Sequence, residues 1–483
     1  MAFVVIFIVA LLSSLAFQGT RGLFDRDETR YAECAREMLV TGNWLIPTRN
    51  FKPHLTKPPL TYWAMAASMK VFGVNEWGAR IPNAVAFSIT VVLVGLIGSR
   101  LLGSRFGPIA SLIYLTSIVP FAASNIVTTD TLLVMWEVAA VWAFLSGYQA
   151  NSKSEARLWF VLMAVFWGLG FLTKGPAVFP VAAGLALFWL IRRGEFKAFP
   201  ASPVVLIVFF ITGLWWYGVV FKVYPWAKGL ILEEQVTGRL FSPVFHRNSA
   251  WYAPLYLYAP MILLGLAPWC ILWIRAARQF RGRWSGDLLR QESLFLSLWW
   301  AVPLVVFTLA RSRLPLYILP VFAPMAIFSS QLVKDDTLGQ KRFYKIVGVT
   351  LAIFIGLKFA AAHAPMPQDA RQMYRAFSKY IEQAGVIDTF EGQFLDGLSF
   401  YSKKPVEYLP YPTKSGIHVH TCNSFWDEEV KEISTKGPEI FVLDLRKQAQ
   451  TAHLHSLGLC LQEVSRYGRY GLFEVSANGC AAD

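Results

Sequence analysis

Charge is scarce in this chain. Of its 483 residues only 16% are Asp, Glu, Lys or Arg, while 55% are hydrophobic and 15% aromatic; soluble domains carry about 25% charge, so an ordinary soluble fold is excluded. Cysteine is scarcer still. The five present (Cys34, Cys270, Cys422, Cys460 and Cys480) form no CxxC pair and no His/Cys cluster of zinc-site spacing, which excludes the usual structural zinc modules. Acidic residues are also few, 31 against 45 basic ones, giving a net charge of +14. A nucleic-acid partner would need a basic patch or a reading motif on a soluble face, and neither is found.

Long apolar runs are what the chain has instead. They lie near residues 3–19, 82–102, 107–123, 130–148, 158–173, 175–191, 202–222, 253–274, 291–309, 314–333 and 343–362. Several reach the roughly 17–25 residues needed to cross hydrocarbon, which predicts a polytopic α-helical membrane protein of about eleven spans. The adjoining pairs 158–191 and 291–333 are each too long for one helix and must turn back, at "TKG" and "ARSRL". The first run also reads as a signal peptide lacking its basic end. Short basic loops set the orientation. With the N-terminus inside, "RRGEFK" at 192–197, "RAARQFRGRW" at 275–284 and "KDDTLGQKR" at 334–342 are cytoplasmic, and the chain after about 363 is outside.

The outer loops, residues 20–81 and 223–252 above all, nonetheless keep Arg30, Lys57, Lys174, Arg239, Arg247 and Arg313. Cations held there against the topological bias point to an anionic ligand at the outer face, phosphate being the group that Arg and Lys bind best; anchoring to anionic headgroups is the other reading. In the stretch "LFDRDETRYAECAREM" at 23–38, eight of sixteen residues are charged. Residues 27–40 have helical spacing, with Tyr31, Cys34, Ala35 and Met38 on an apolar face and Glu33 with Arg36 or Glu37 opposite, which predicts a helix lying on the membrane surface. Its acidic start is either a complement to the helix dipole or a catalytic or metal-binding carboxylate, Asp27 first. Asp130, opening a span in "VTTDTLL", is either a second functional carboxylate or a helix cap. The "KPP" at 57–59 holds the Lys57 ammonium on a stiff turn before a helix.

From about 364 the composition turns mixed polar. "DARQMYRAFSKYIEQAG" at 369–385 reads as an amphipathic helix and "EIFVLDLR" at 439–446 and "GLFEVS" at 471–476 as strands, predicting a small outer α/β domain over 364–483 after a membrane domain over 1–363. Outside the cytoplasm, one disulfide among Cys422, Cys460 and Cys480 competes with free buried thiols.

The segments "DRDETRYAECAREMLVTGNWLIP", "KPPLTYWAMA", "FGVNEWGARIPNA", "GLGFLTKGP" and "SRLPLYILPVFAP" together resemble, in order and topological place, the motifs of the bacterial aminoarabinose transferases of lipid A. They are also similar to the wider family of polyisoprenyl-phosphate-sugar glycosyltransferases that includes protein O-mannosyltransferases. The resemblance spans roughly residues 20–335, and "LSFYSKKPVEYL" at 398–409 is similar to a piece of the family's outer domain. It implies a type-C glycosyltransferase fold in the bacterial inner membrane with an active site on the periplasmic side. There, a sugar such as 4-amino-4-deoxy-L-arabinose leaves its undecaprenyl-phosphate carrier for lipid A, a similar glycolipid or a protein hydroxyl. Asp27 matches the acidic catalytic position and Lys57 the lysine near the lipid phosphate. Arg239, His246 and Arg247 match a region whose basic residues meet that phosphate and whose histidine can join Asp27 at a divalent cation. Glu28, Arg30, Asp130, Lys174, Arg313 and Tyr317 complete the expected substrate-binding set.

Two departures stand out. Thr56 occupies the place of the usual glutamate before KPP, removing a metal-ligating carboxylate, and the chain is shorter than is usual in the family. A lipid-linked sugar transporter is the competing class, but transporters tend to show repeated halves with midplane charges, whereas here the charges gather at one face.

Overall fold

The computed structural model describes residues 1–237, 247–279, 291–334, 336–390, 393, 395–410 and 419–477. The chain divides into two compact units, one of residues 1–18, 43–47 and 54–362, the other of residues 19–42, 48–53 and 363–483. The loop 20–81 is therefore shared between them. Much of it, including the charged stretch at 23–38, folds with the C-terminal residues and not with the membrane helices expected to own everything up to 363.

In the first unit every apolar run of the sequence contains helix. Five helical stretches among the described residues are long and apolar enough to cross a membrane: Glu76–Leu102, Thr129–Tyr148, Lys153–Glu195, Gln291–Leu309 and Thr337–His363. Pro203–Gly213 and Trp215–Val223 join at a 48° bend as a sixth, and Ala2–Leu15, Phe106–Leu115, Ala253–Gly265 and Pro315–Ser330 are shorter. At 1.5 Å per residue the fourteen residues of Ala2–Leu15 span about 21 Å. Length alone thus supports five or six spans where eleven runs are apolar. The stretch from Lys153 does turn back as expected. Gly175, at φ +63°, starts a 3₁₀ turn over Gly175–Val178, and the returning Phe179–Arg192 helix brings Phe196 to 6.2 Å from Phe160.

Small residues let these helices meet closely, as packing in hydrocarbon requires. A Cβ added at Gly107 would lie 1.9 Å from Ser99 Oγ, so Phe106–Leu115 approaches Glu76–Leu102 backbone to backbone. Lys358 donates from Nζ to Ser13 O at 2.9 Å and Ser14 O at 2.6 Å. It thereby satisfies end carbonyls of the Ala2–Leu15 helix from within another span. Thr129–Tyr148 is the most enclosed of the five, with 89% of its apolar window buried.

The second unit is built on a five-stranded sheet in the order β4 (Val406–Leu409), β3 (Ile387–Phe390), β5 (Glu439–Asp444), β7 (Tyr470–Ser476), β6 (Cys460–Tyr467). β3 pairs in parallel with both β4 and β5, whereas β7 is antiparallel to β5 and β6. Side chains alternate along β5 as the pleat demands. Ile440 and Val442 join Met373, Phe377 and Leu398 on one face, while Phe441 and Leu443 join Trp426, Ile433 and Leu454 on the other. Helices cover both faces, a layered α/β arrangement. Cys460 is disulfide-bonded. Cys34 and Cys270 are free, and the side chains of Cys422 and Cys480 lie outside the described residues.

The helix Glu28–Thr41 in this unit does not lie on a surface. Glu28, Glu33, Arg36 and Glu37 are all at most 4% exposed, as buried as the apolar face. The 3.6-residue pattern saw a polar face and assigned it to water. In the fold most of them find partners: Arg36 donates to both Glu33 oxygens at 2.7 and 2.6 Å, Glu33 also accepts from the Ser399 hydroxyl at 2.8 Å, and Glu28 accepts from Arg21.

Candidate active site

A cavity of about 470 Å³ opens in the membrane unit. Most of its wall is apolar, from Leu55, Leu133, Val134, Phe179, Ile231 and Phe307 among others; the polar exceptions include Thr56, Lys57, Asp130, Lys174, Ser312 and Tyr317. Each charged group arrives at an element's end. Lys57 sits just before the Leu60–Phe72 helix, whose N-cap is Pro59. Asp130 lies in the first turn of Thr129–Tyr148, after the Thr128 cap. Lys174 closes the Lys153–Lys174 helix at the Gly175 turn.

Lys174 and Asp130 form an ion pair at 2.5 Å with side chains 7% and 13% exposed. The same Nζ stands 4.7 Å from the centroid of the Tyr317 ring, within cation–π range. Four residues singled out in the sequence, Lys57, Asp130, Lys174 and Tyr317, thus line one cavity. A cavity of this kind offers hydrocarbon walls with two ammonium groups, a combination suited to a lipid that ends in phosphate. Thr56 turns its hydroxyl to the His54 ring at 2.9 Å.

Other expected ligands are engaged elsewhere. The Arg313 guanidinium donates to four acceptor contacts on backbone carbonyls of Thr308, Asn248 and Ala250 at 2.8–3.1 Å. It ties loop 247–250 to the end of the Gln291–Leu309 helix, so a phosphate contact is not what it makes. Arg247 is exposed, and its carbonyl accepts from Arg313 N. Glu28 is 1% exposed and accepts from Arg21 at 2.7 Å and from Phe24 N at 2.9 Å. These contacts fix the loop before the helix and leave Glu28 no open face for a substrate. Arg239 and His246 lie outside the described residues. Among the described residues no group of three or more His, Cys, Asp or Glu is placed to hold a metal ion.

In the second unit Asp25 and Asp27 point opposite ways. Asp27, the N-cap of Glu28–Thr41, has a side chain 68% exposed and accepts from Arg30 at 2.8 Å. Arg30 itself lies over Tyr31 at 5.1 Å. Between the two acids Arg26 adopts φ +84°, a left-handed conformation that a branched side chain rarely takes. Asp25 is half-buried, and its enclosed Oδ1 has no hydrogen-bond partner among the described residues. Burial, reinforced by the Asp396 and Asp369 carboxylates, pushes its pKa up to about 8 against the opposing pull of Arg469.

Sequence reasoning passed over several of these groups. Ser312 and Tyr217 line the cavity, yet in sequence Tyr217 sits inside an apolar run and Ser312 is masked by the two arginines that flank it in a short break. Glu137, two turns beyond Asp130 on the same helix face, is 1% exposed, and neither carboxylate oxygen has a hydrogen-bond partner among the described residues. A lone acid inside an apolar span was the signal available for it.

The family described as dolichyl-phosphate-mannose-protein mannosyltransferase matches residues 56–216, a segment that includes Lys57, Asp130 and Lys174. The undecaprenyl phosphate-alpha-4-amino-4-deoxy-L-arabinose arabinosyl transferase of Edwardsiella ictaluri is 31% identical over 350 residues, 71% of this chain and 61% of that protein. The chain thus spans about three fifths of the length of the curated relative it matches. A crystal structure of ArnT from Cupriavidus metallidurans bound to undecaprenyl phosphate has TM-score 0.77 at 18% identity, covering 98% of this chain and 97% of that one. The Archaeoglobus fulgidus oligosaccharyltransferase tethered with an acceptor peptide has TM-score 0.54 at 12% identity, covering 97% and 74%. By its sequence the chain is similar to the undecaprenyl phosphate-aminoarabinose arabinosyl transferases, and it shares the fold of ArnT from Cupriavidus metallidurans.

Proposed function

We propose that this protein is an integral-membrane glycosyltransferase that moves a sugar, 4-amino-4-deoxy-L-arabinose or a relative of it, from an undecaprenyl-phosphate carrier to lipid A or a similar acceptor. All eleven apolar runs cross or enter the bilayer, which we assign to the bacterial inner membrane, with the reaction and the C-terminal domain on the periplasmic side. The observation that carries this reading is the apolar cavity with Lys57 and the Lys174–Asp130 pair in its wall. Isoprenoid chain suits the walls and phosphate suits the ammonium groups.

In the transfer step the bond between the sugar's anomeric carbon and the carrier phosphate breaks, and an acceptor oxygen bonds to that carbon from the opposite side. Charge builds on the departing phosphate, where donors that tighten as it builds lower the barrier. Hydrogen bonds to charged groups contribute about 1.5–3 kcal/mol each, or roughly 10- to 150-fold per donor in rate. Asp27 takes the acceptor's proton. A divalent cation held with the help of Asp27, where present, would add Lewis-acid stabilisation of the phosphate.

The test is transfer by purified protein in detergent from radiolabelled undecaprenyl-phosphate-linked aminoarabinose to lipid A, paired with mass spectrometry of envelope glycolipids from a deletion strain. Label moving to lipid A, and one sugar mass missing from the strain's lipid A, are expected. Absence of transfer with unchanged glycolipids sinks the proposal, and a sugar lost from a protein instead moves the acceptor to protein hydroxyls.

A further inference from the structure

The second unit contains a short helix, Asp396–Ser402, several of whose contacts reach the residues around the turn that presents Asp27. Arg49 donates to both carboxylate oxygens of Asp396, at 2.5 and 2.9 Å, and Asp396 is 3% exposed. Ser399 donates to Glu33. Tyr401 accepts from Leu23 N at 2.8 Å. Just upstream of this helix, Asp25 N donates to Gln368 O at 2.9 Å and Ala370 N to Leu23 O at 3.0 Å. The closest approach is at Gly397, where an added Cβ would lie 2.3 Å from Ala370 Cβ and 2.6 Å from Asp25 Oδ1.

These contacts hold one side of a strained reversal. Asp25 is drawn inward, Arg26 takes its left-handed conformation, and Asp27 emerges exposed at the helix start. Strain of this sort persists only where the surroundings over-determine it. Here the surroundings come from residues more than three hundred positions downstream. A plain joint between a loop and a domain would have no need of a strained residue between an acid with an enclosed Oδ1 and an exposed one.

We propose that the C-terminal domain positions Asp27 for the transfer step, with Gly397, Ser399 and the Arg49–Asp396 pair as positioning residues acting through Asp25 and the Glu28–Thr41 helix. The proposal rests on the reading of Asp27 as the group that takes the acceptor's proton. It assigns the C-terminal domain to the chemical step and leaves grip on the carrier to the membrane unit. A misplacement of about 1 Å at a reacting group can cost about 10²-fold in rate.

The experiment compares full-length Gly397→Ala and Ser399→Ala with wild type and Asp27→Asn. It measures kcat and KM for the lipid-linked sugar, Kd for undecaprenyl phosphate, thermal unfolding, and deuterium uptake over residues 23–31. We expect kcat to fall about 10- to 100-fold for Gly397→Ala and less for Ser399→Ala. KM and the undecaprenyl phosphate Kd should stay within about twofold, with faster exchange confined to 23–31. Unchanged kcat in both variants while Asp27→Asn is inactive overturns the positioning role. So does a parallel loss of kcat, carrier binding and thermal stability, which marks a merely structural joint. Should Asp27→Asn keep full rate, it is the proton-acceptor reading that fails; the exchange measurement then still reports whether the contact holds the turn. Ser399→Ala removes one hydroxyl and keeps the test open where Gly397→Ala does not fold.

Discussion

The two units use charge in opposite ways. In the membrane unit few ionisable groups are kept away from the ends, and Lys57, Asp130 and Lys174 meet in one cavity. In the unit formed by the first loop and the C-terminal domain, buried charges are numerous and paired off: Arg21 with Glu28, Arg36 with Glu33, Arg49 with Asp396. The lesson is that a charge-dense stretch and a functional stretch are different things. Where hydrocarbon surrounds the protein, an ion is costly and must answer to a ligand or to polar partners, as Lys358 does; outside it, ions in complementary pairs can build a core.

Lys174→Met should give the largest effect, because it leaves Asp130 in the cavity wall without its partner. Breaking a buried pair costs about 3–5 kcal/mol. Adding Asp130→Asn should restore most of the thermal stability but not the affinity for undecaprenyl phosphate; recovery of both would reduce the pair to a structural brace. Arg49→Ala makes the same cut in the other unit, stranding Asp396. Since Arg49 is one-fifth exposed, about 2–3 kcal/mol is expected, restored by Asp396→Asn, with carrier Kd unchanged throughout. If carrier binding fell with it, the contrast between the units would collapse.

Asp25 gives a smaller, pH-dependent effect. The folded protein holds this proton up to about pH 8, whereas the unfolded chain releases it near pH 4. Between those values the folded state binds more protons, so stability falls as pH rises. Asp388, whose buried carboxyl among Glu439 and Glu429 is likewise pushed up to about 8, contributes to the same window. Asp25→Asn should therefore remove about half of the decline measured by thermal unfolding at pH 5 and pH 8; an unchanged slope would show that Asp25 ionises freely. Smallest of all, Glu463→Gln loosens the exposed Arg466–Glu463 pair and should leave the unfolding temperature where it was, as exposed pairs generally do.

Much of the membrane unit was legible in the sequence, because a helix in hydrocarbon announces itself locally by a run of apolar residues. The ends of those runs also mark the cavity, which is why Lys57, Asp130, Lys174 and Tyr317 stood out without any knowledge of distance. The first outer loop was not legible in the same way. Helical periodicity distinguishes the faces of Glu28–Thr41 but cannot say that Ser399 will cover the polar one. Arg313 misled for a related reason. A cation in an outer loop reads as waiting for a ligand, and only the fold shows three backbone carbonyl partners closing around it. The run lengths misled too, since apolar composition continues through breaks such as Thr116–Ser117, between Phe106–Leu115 and Ile118–Ala123, that end a helix early.

The enclosure of the Thr129–Tyr148 helix reaches beyond packing. A rod sheathed by its neighbours along 89% of its apolar window has almost no border with lipid tails, so a thicker or stiffer bilayer has nothing on it to push against. Asp130 is mounted at the top of this insulated rod, and changes in membrane composition reach it only second-hand, through the outer ring of helices. Activity should accordingly hold steady across bilayers of different chain length in which the exposed spans must tilt to fit.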